Sequence, residues 1–217
     1  MKSEACEYTQ LRVVHDASWR HVATRRDKIS GRKVEVPVLM PTEIIEEESR
    51  FNQQLPVLKY LNDALELAGQ HELADFAAEM TNSLSALRWS QNPSYNESNC
   101  SQSFLDGYAY AAISGPQGPI QCSAPRGGIM LMGPDVMYHD HKHAPREIYL
   151  VLTPGTQWRL DGTDWFDVEP GDLIYHESWQ MHAMRTHAHP MLAFAGWLDP
   201  GLRIDIGFDT VQHAPEI

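Results

Sequence analysis

Between residue 51 and about residue 89 the apolar positions recur at helical spacing. In LPVLKYLNDALELAGQHELADFAAEMTNSLSALRW, Leu58, Leu61, Leu65 and Leu67 fall close to a 3.6-residue period. Ala, Leu and Glu dominate, and Ala68-Gly69-Gln70 interrupts the run, so two helices are expected here. Their leucine stripe should pack against the rest of the molecule. Upstream, EYTQLRVVHDASWRHVATR reads as another amphipathic helix and KVEVPVLMPTEI as an extended segment. The acidic EIIEEESR (43–50) reads as a solvated helix face.

The polar stretch SQNPSYNESNCSQS (90–103) marks a boundary. Beyond it, short apolar runs alternate with Gly, Pro and Asp: YAYAAI, GGIMLMG, EIYLVL, TQWRL, WFDV, DLIYH, MLAFAGWL and RIDIGF. Turn signals every eight to twelve residues or so point to a sandwich or barrel. The expected architecture is mainly β: a helical N-terminal extension over 1–97 and a β-barrel over 98–217.

Composition narrows the function. With 217 residues, 42% of them hydrophobic, the chain suits one domain with an extension and a real core. A formal charge of −12 argues against nucleic-acid phosphates and anionic membranes as partners. The opening MKSEACEYTQLRVV lacks the apolar region of a secretory signal, and no run approaches the length of a membrane span. Cys6, Cys100 and Cys122 form no CxxC pair, which fits a reducing cytoplasm.

The chemistry concentrates in YHDHKHAPREIYL (138–150). His141 and His143 are two apart and share a face on a strand; so do Glu147 and Tyr149. On one straight strand His141 and Tyr149 would lie roughly 26 Å apart, whereas ligands sit about 2 Å from their metal. The chain must therefore fold back, and Ala144-Pro145-Arg146 supplies a turn. A hairpin is expected, with the two histidines on one strand and Glu147 with Tyr149 on the next. Downstream, Pro170-Gly171-Asp172 forms a turn, and His182 after the following strand would complete a His₃Glu site. Such a donor set suits one divalent transition metal ion: Fe2+, Mn2+, Zn2+, Co2+ or Ni2+. Seven of the eleven histidines fall between His139 and His189, more than a solvated surface requires. His139 competes for the HxH role through His139-Asp140-His141, but His141 and His143 leave three residues before Glu147.

Residues 127–198 resemble the two cupin motifs. Gly133, His141, His143, Glu147 and Gly155 follow the first loosely, with a gap of seven residues at each end. Pro170-Gly171-Asp172 and His182 follow the second, although HESWQMH replaces its usual P-x-G approach. The resemblance implies a cupin (double-stranded β-helix, or jelly-roll) barrel. The fuller pattern Tyr138-x2-His141-x-His143-x3-Glu147-x-Tyr149, then His182 and Trp197, resembles the cupin-type dimethylsulfoniopropionate (DMSP) lyases. That resemblance implies a metal-dependent lyase splitting DMSP into dimethyl sulfide and acrylate.

The small zwitterionic substrate pairs a carboxylate with a sulfonium, and the proton next to the carboxylate must be removed. Tyr149, on the strand face of Glu147, is assigned as general base; its phenol needs a nearby dication to ionise near neutrality. The resemblance also implies Tyr138 as a group that positions the carboxylate or assists the base. It offers Trp197 as an aromatic face for the sulfonium, worth about 0.5–2 kcal/mol. Trp179 is a further candidate for the pocket wall. His176, His187 and His189 read as structural or solvent-facing, and Arg126 and Arg185 as surface salt-bridge formers. No organic cofactor is called for, and a homodimer is compatible with the sequence. Alternatives are a related cupin acting on another small carboxylate, a dioxygenase, or a non-catalytic ligand-binding cupin.

Overall fold

The computed structural model describes residues 4–36, 43–44, 54–116, 118–122, 125–199 and 207–208. The N-terminal part carries helices α1 (Glu4–Thr24), α2 (Leu61–Ala68) and α3 (Ala74–Asn82), with 3-10 turns at Pro56–Tyr60 and Leu84–Ala86. The expected break falls at Gly69, whose N–H closes α2 on the Leu65 carbonyl. Where a solvated helix face was expected, Glu43–Ile44 forms a short strand, β1, because its backbone pairs with a neighbouring strand. Residues 45–50, residues 37–42 of the extended segment and residues 203–206 of RIDIGF lie outside the described residues.

The remaining elements are β2 (Trp89–Ser90), α4 (Gln102–Gly107), β3 (Tyr108–Ser114), β4 (Ile120–Gln121), β5 (Arg126–Met132), β6 (Met137–Lys142), β7 (Glu147–Val151), β8 (Thr156–Leu160), β9 (Phe166–Val168), β10 (Leu173–His176), β11 (His182–Thr186), β12 (Met191–Trp197) and β13 (Gly207–Phe208). They build two sheets. The larger runs β1-β4-β3-β5-β12-β7-β10, with β2 also on β3; the smaller runs β13-β6-β11-β8-β9. Pairing is antiparallel apart from β3 with β4.

Period-two alternation divides the apolar residues into two layers. Ile129, Leu131, Ile148, Leu150, Leu192 and Phe194 join the layer beneath the helices. Met130, Met132, Tyr149, Val151, Ala193 and Ala195, from the same strands, fill the barrel interior. Helix α1 sits close on the outer face, where Trp19 meets Phe194 edge-on at 5.0 Å. Glycine is required on β12 beneath it, since a Cβ on Gly196 would come within 2.6 Å of the Trp19 ring.

One expectation needs correction. β6 and β7 are not the two arms of a hairpin: β6 lies in the smaller sheet and β7 in the larger. Residues 143–146 instead carry the chain from one sheet to the other. Fold-back was needed to gather the donors, but a sheet-to-sheet corner achieves it as well as a hairpin.

A second local feature sets the phase of β6. His141 pairs with His182 and Tyr138 with Met184, so three steps on β6 match two on β11. That bulge turns both Tyr138 and His141 inward, although they are an odd number of residues apart.

Candidate metal centre

The strands bring His141, His143, Glu147 and His182 together inside the barrel, all buried. Ligand atoms of His141, His143 and His182 lie within 4.8 Å of one another, as do those of Glu147, His176 and His182. Glu147 Oε2 is the hub, at 3.2 Å from His143 Nε2, 3.3 Å from His182 Nε2 and 3.2 Å from His176 Nδ1.

Main-chain carbonyls orient three of the rings. Nδ1 of His141 lies 2.8 Å from the His139 carbonyl, that of His143 2.9 Å from the Pro145 carbonyl, and that of His182 2.9 Å from the Gln180 carbonyl. A carbonyl only accepts, so each Nδ1 carries the proton and donates it. When the rings are neutral, each Nε2 then offers a lone pair. At His143 and His182 that nitrogen faces the Glu147 oxygen, and two lone pairs at such a distance require a proton or a cation between them. His182 Nε2 is buried and makes no hydrogen bond among the described residues. Three imidazole nitrogens and one carboxylate therefore fit a divalent ion by number and type.

The electrostatics agree. Burial alone would raise the Glu147 carboxyl, but the charge and hydrogen bond of His143, together with the adjacent rings of His176 and His182, hold it well below the usual carboxylate range. Burial, reinforced by His182, pushes His141 well below an ordinary histidine. At His143 burial is outweighed by the charge and hydrogen bond of Glu147, which leave its imidazole raised. The Tyr149 phenol is pushed well above its ordinary value by burial and then by the negative charge of Glu147.

Around this cluster the other expected residues take different places. Tyr149 is buried two positions along β7 from Glu147 and faces the same interior, next to Trp158 at 5.3 Å. Tyr138 stacks on the His141 ring at 3.9 Å, and its hydroxyl bonds that of Tyr95. Trp197 is the cross-strand partner of Glu147 and lies 6.3 Å from the His143 ring, and its buried indole N–H makes no hydrogen bond among the described residues. Trp179 is not brought into the pocket. It is 53% exposed, at φ 61°, because its backbone N–H is tied to the His143 carbonyl and turns the side chain outward. His139 is half-buried and contributes its carbonyl to His141. His187 and His189 are exposed. Arg185 lies over Trp165 and bonds Gln157, whereas Arg126 makes no ion pair among the described residues.

Two residues escaped the sequence reading. His176 reads from the sequence as structural or solvent-facing; it is not solvent-facing but fully buried, against Glu147 and stacked on the His182 ring at 3.8 Å. Burial and His182 push its imidazole down to about 3. The signal was there in LIYH, since Ile174 and His176 share a face and Ile174 is a core residue. Tyr95 is the single aromatic in the polar loop 90–103, and it enters the aromatic cluster of Phe104, Tyr108 and Tyr138. Ser101 caps α4 by accepting from the Phe104 N–H, which sets Phe104 against Tyr138 at 4.5 Å.

Comparison with known proteins identifies the lineage. The profile of the dimethylsulfoniopropionate lyase family matches residues 35–193, most of the chain. This chain belongs to the DMSP lyase family. It is 28% identical over 103 residues to dimethylsulfoniopropionate lyase DddQ of Ruegeria pomeroyi, a stretch that covers 48% of this chain and 51% of that protein. The chain thus aligns with about half the length of this curated relative. Its fold superposes on the crystal structure of DddQ from Ruegeria pomeroyi with a TM-score of 0.69 at 19% identity, covering 95% of this chain and 99% of that one. A chain from the crystal structures of the DMSP lyases RdDddP and RnDddQII gives a TM-score of 0.71 at 23% identity, covering 95% and 100%. The DMSP lyase family fold is that of a cupin with a helical N-terminal segment. Among the described residues, no helix is long and apolar enough to cross a membrane.

Proposed function

We propose that this chain is a metal-dependent carbon–sulfur lyase that cleaves DMSP to dimethyl sulfide and acrylate, with Tyr149 as general base. Family membership supports the substrate, and the observation that carries the mechanism is the placement of the Tyr149 phenol. It is buried two residues from Glu147 and on the same interior face. His141, His143, Glu147 and His182 would hold one Fe2+, Mn2+, Zn2+, Co2+ or Ni2+ ion. Bound there, a divalent ion supplies Lewis acidity toward the substrate carboxylate and lowers the phenol of Tyr149.

The chain's own residues account for the rest. Tyr149, as phenolate, takes the proton from the carbon next to the carboxylate. The electron pair left behind becomes the carbon–carbon double bond of acrylate. The carbon–sulfur bond breaks, and dimethyl sulfide departs with both electrons of that bond. Trp197, beside Glu147 in the sheet, presents an aromatic face to the sulfonium. Tyr138, held by His141 and by the Tyr95 hydroxyl, orients the carboxylate end. Buried walls keep water from competing for the developing charge. Cys100 and Cys122 are both free, which suits a reducing cytoplasm.

Headspace measurement of dimethyl sulfide from the purified chain with DMSP tests the proposal, each of the five metals being supplied in turn. Release of the sulfide with equimolar acrylate and no oxygen uptake is the expected result. No release with any metal sinks the lyase reading, and oxygen consumption would turn it toward a dioxygenase.

A further inference from the structure

Four buried imidazoles surround Glu147, and one of them is turned around. His141, His143 and His182 give their Nδ1 protons to main-chain carbonyls and aim Nε2 inward. His176 aims Nδ1 at Glu147 Oε2, 3.2 Å away. Its Nε2 lies 3.2 Å from the indole nitrogen of Trp158. An indole N–H can only donate, so His176 Nε2 must be the unprotonated nitrogen. The ring proton is then on Nδ1, where it is donated to the Glu147 carboxylate. A nitrogen that carries a proton has no lone pair for a metal, and the other nitrogen of this ring is already engaged.

We infer that His176 is a positioning residue and not a metal ligand: Trp158 fixes its tautomer, and the resulting N–H holds the Glu147 carboxylate in its ligating orientation. The inference rests on the metal-centre reading above and is independent of the substrate. It also separates two donor groups that distance alone leaves equal, because Glu147, His176 and His182 are as close-set as His141, His143 and His182. The strands arrange the relay directly. His176 and Glu147 are cross-strand partners on β10 and β7, while Trp158 reaches over from β8 in the opposite sheet. All three are buried, so no water competes for the bonds.

The test uses the full chain loaded with zinc or with cadmium-113, and four variants. His176→Leu removes the donor, His176→Asn keeps an N–H near the position of Nδ1, Trp158→Phe frees the tautomer, and His143→Ala serves as a ligand-loss control. Zinc affinity is read by chelator competition, and thermal melting reports whether each variant folds. His176→Leu is expected to weaken zinc about 10- to 100-fold while still reaching one ion per chain. His176→Asn should recover most of that loss, and Trp158→Phe should fall between. In the wild-type, cadmium-113 should couple to the ring protons of His141, His143 and His182 and not to those of His176. Coupling to His176 makes it a ligand and overturns the inference. Unchanged zinc affinity in both His176→Leu and Trp158→Phe also overturns it, as does failure of His176→Asn to recover affinity when it folds. A wild-type chain that binds neither ion removes the metal centre itself, an outcome distinct from the other three. If His176→Leu does not fold, Trp158→Phe and the cadmium couplings decide alone.

Discussion

On β7, Ile148 and Leu150 point into the apolar layer under the helices, while Glu147 and Tyr149 point into the barrel. The outer side is held by shape: Trp19 against Phe194, over strand glycines that leave room for it. The inner side is held by direction, with the ring protons of His141, His143, His176 and His182 each assigned to an acceptor. A packed apolar layer gives up stability in proportion to what is removed from it. A site built on oriented donors gives up function when one of them is lost, with little effect on the fold. The same strand therefore carries two kinds of sensitivity, and substitutions on its two faces should separate them.

The sharpest separation comes from the inner face. His143→Ala is expected to abolish metal uptake and dimethyl sulfide release together, measured by metal analysis and headspace assay. Tyr149→Phe should keep one metal ion per chain and lose about 10³-fold in turnover, within the range for removing a general base. Turnover near that of the wild-type would assign the base elsewhere. On the outer face, Phe194→Ala should cost about 3–5 kcal/mol of stability in denaturant titrations, with activity per folded molecule retained. Ile148→Val, also outward, should cost about 0.5–1.5 kcal/mol by the same measurement. An effect of either on metal affinity comparable to that of His143→Ala would show that the two faces are not separable.

The smallest effect is a dependence on pH at the outer layer. His15 on α1 is buried, and burial holds its imidazole below the ordinary value of 6.5. The unfolded chain then binds the proton more readily than the folded one, so stability rises with pH across the interval between the two values. Its contribution is intact above about 6.5 and is lost progressively as pH falls below that. Melting curves of the metal-free chain should show this slope, and His15→Gln should flatten it.

Much of the candidate site was legible in the sequence because His141, His143, Glu147 and Tyr149 obey strand parity within a short span. The strand runs were legible for the same reason. What joined them was not: a turn at Ala144-Pro145-Arg146 shows that the chain reverses, but not whether it pairs with itself or crosses to the other sheet. His176 shares a strand face with Ile174, but its relation to His182 was hidden by the irregular segment between them. Parity cannot be carried through residues 177–181, where Trp179 takes a left-handed backbone, so its face relative to His182 could not be counted. Tyr95 was hidden because its burial depends on where a loop folds, which no period encodes.

The three inward-facing histidines share one more trait. The oxygen that steers each ring belongs to the backbone two residues away: His139 for His141, Pro145 for His143 and Gln180 for His182. Mutation replaces side chains and leaves peptide groups in place. Lineages of this fold can therefore exchange nearly every surrounding amino acid and still inherit the aim of those imidazoles, provided the local chain path survives.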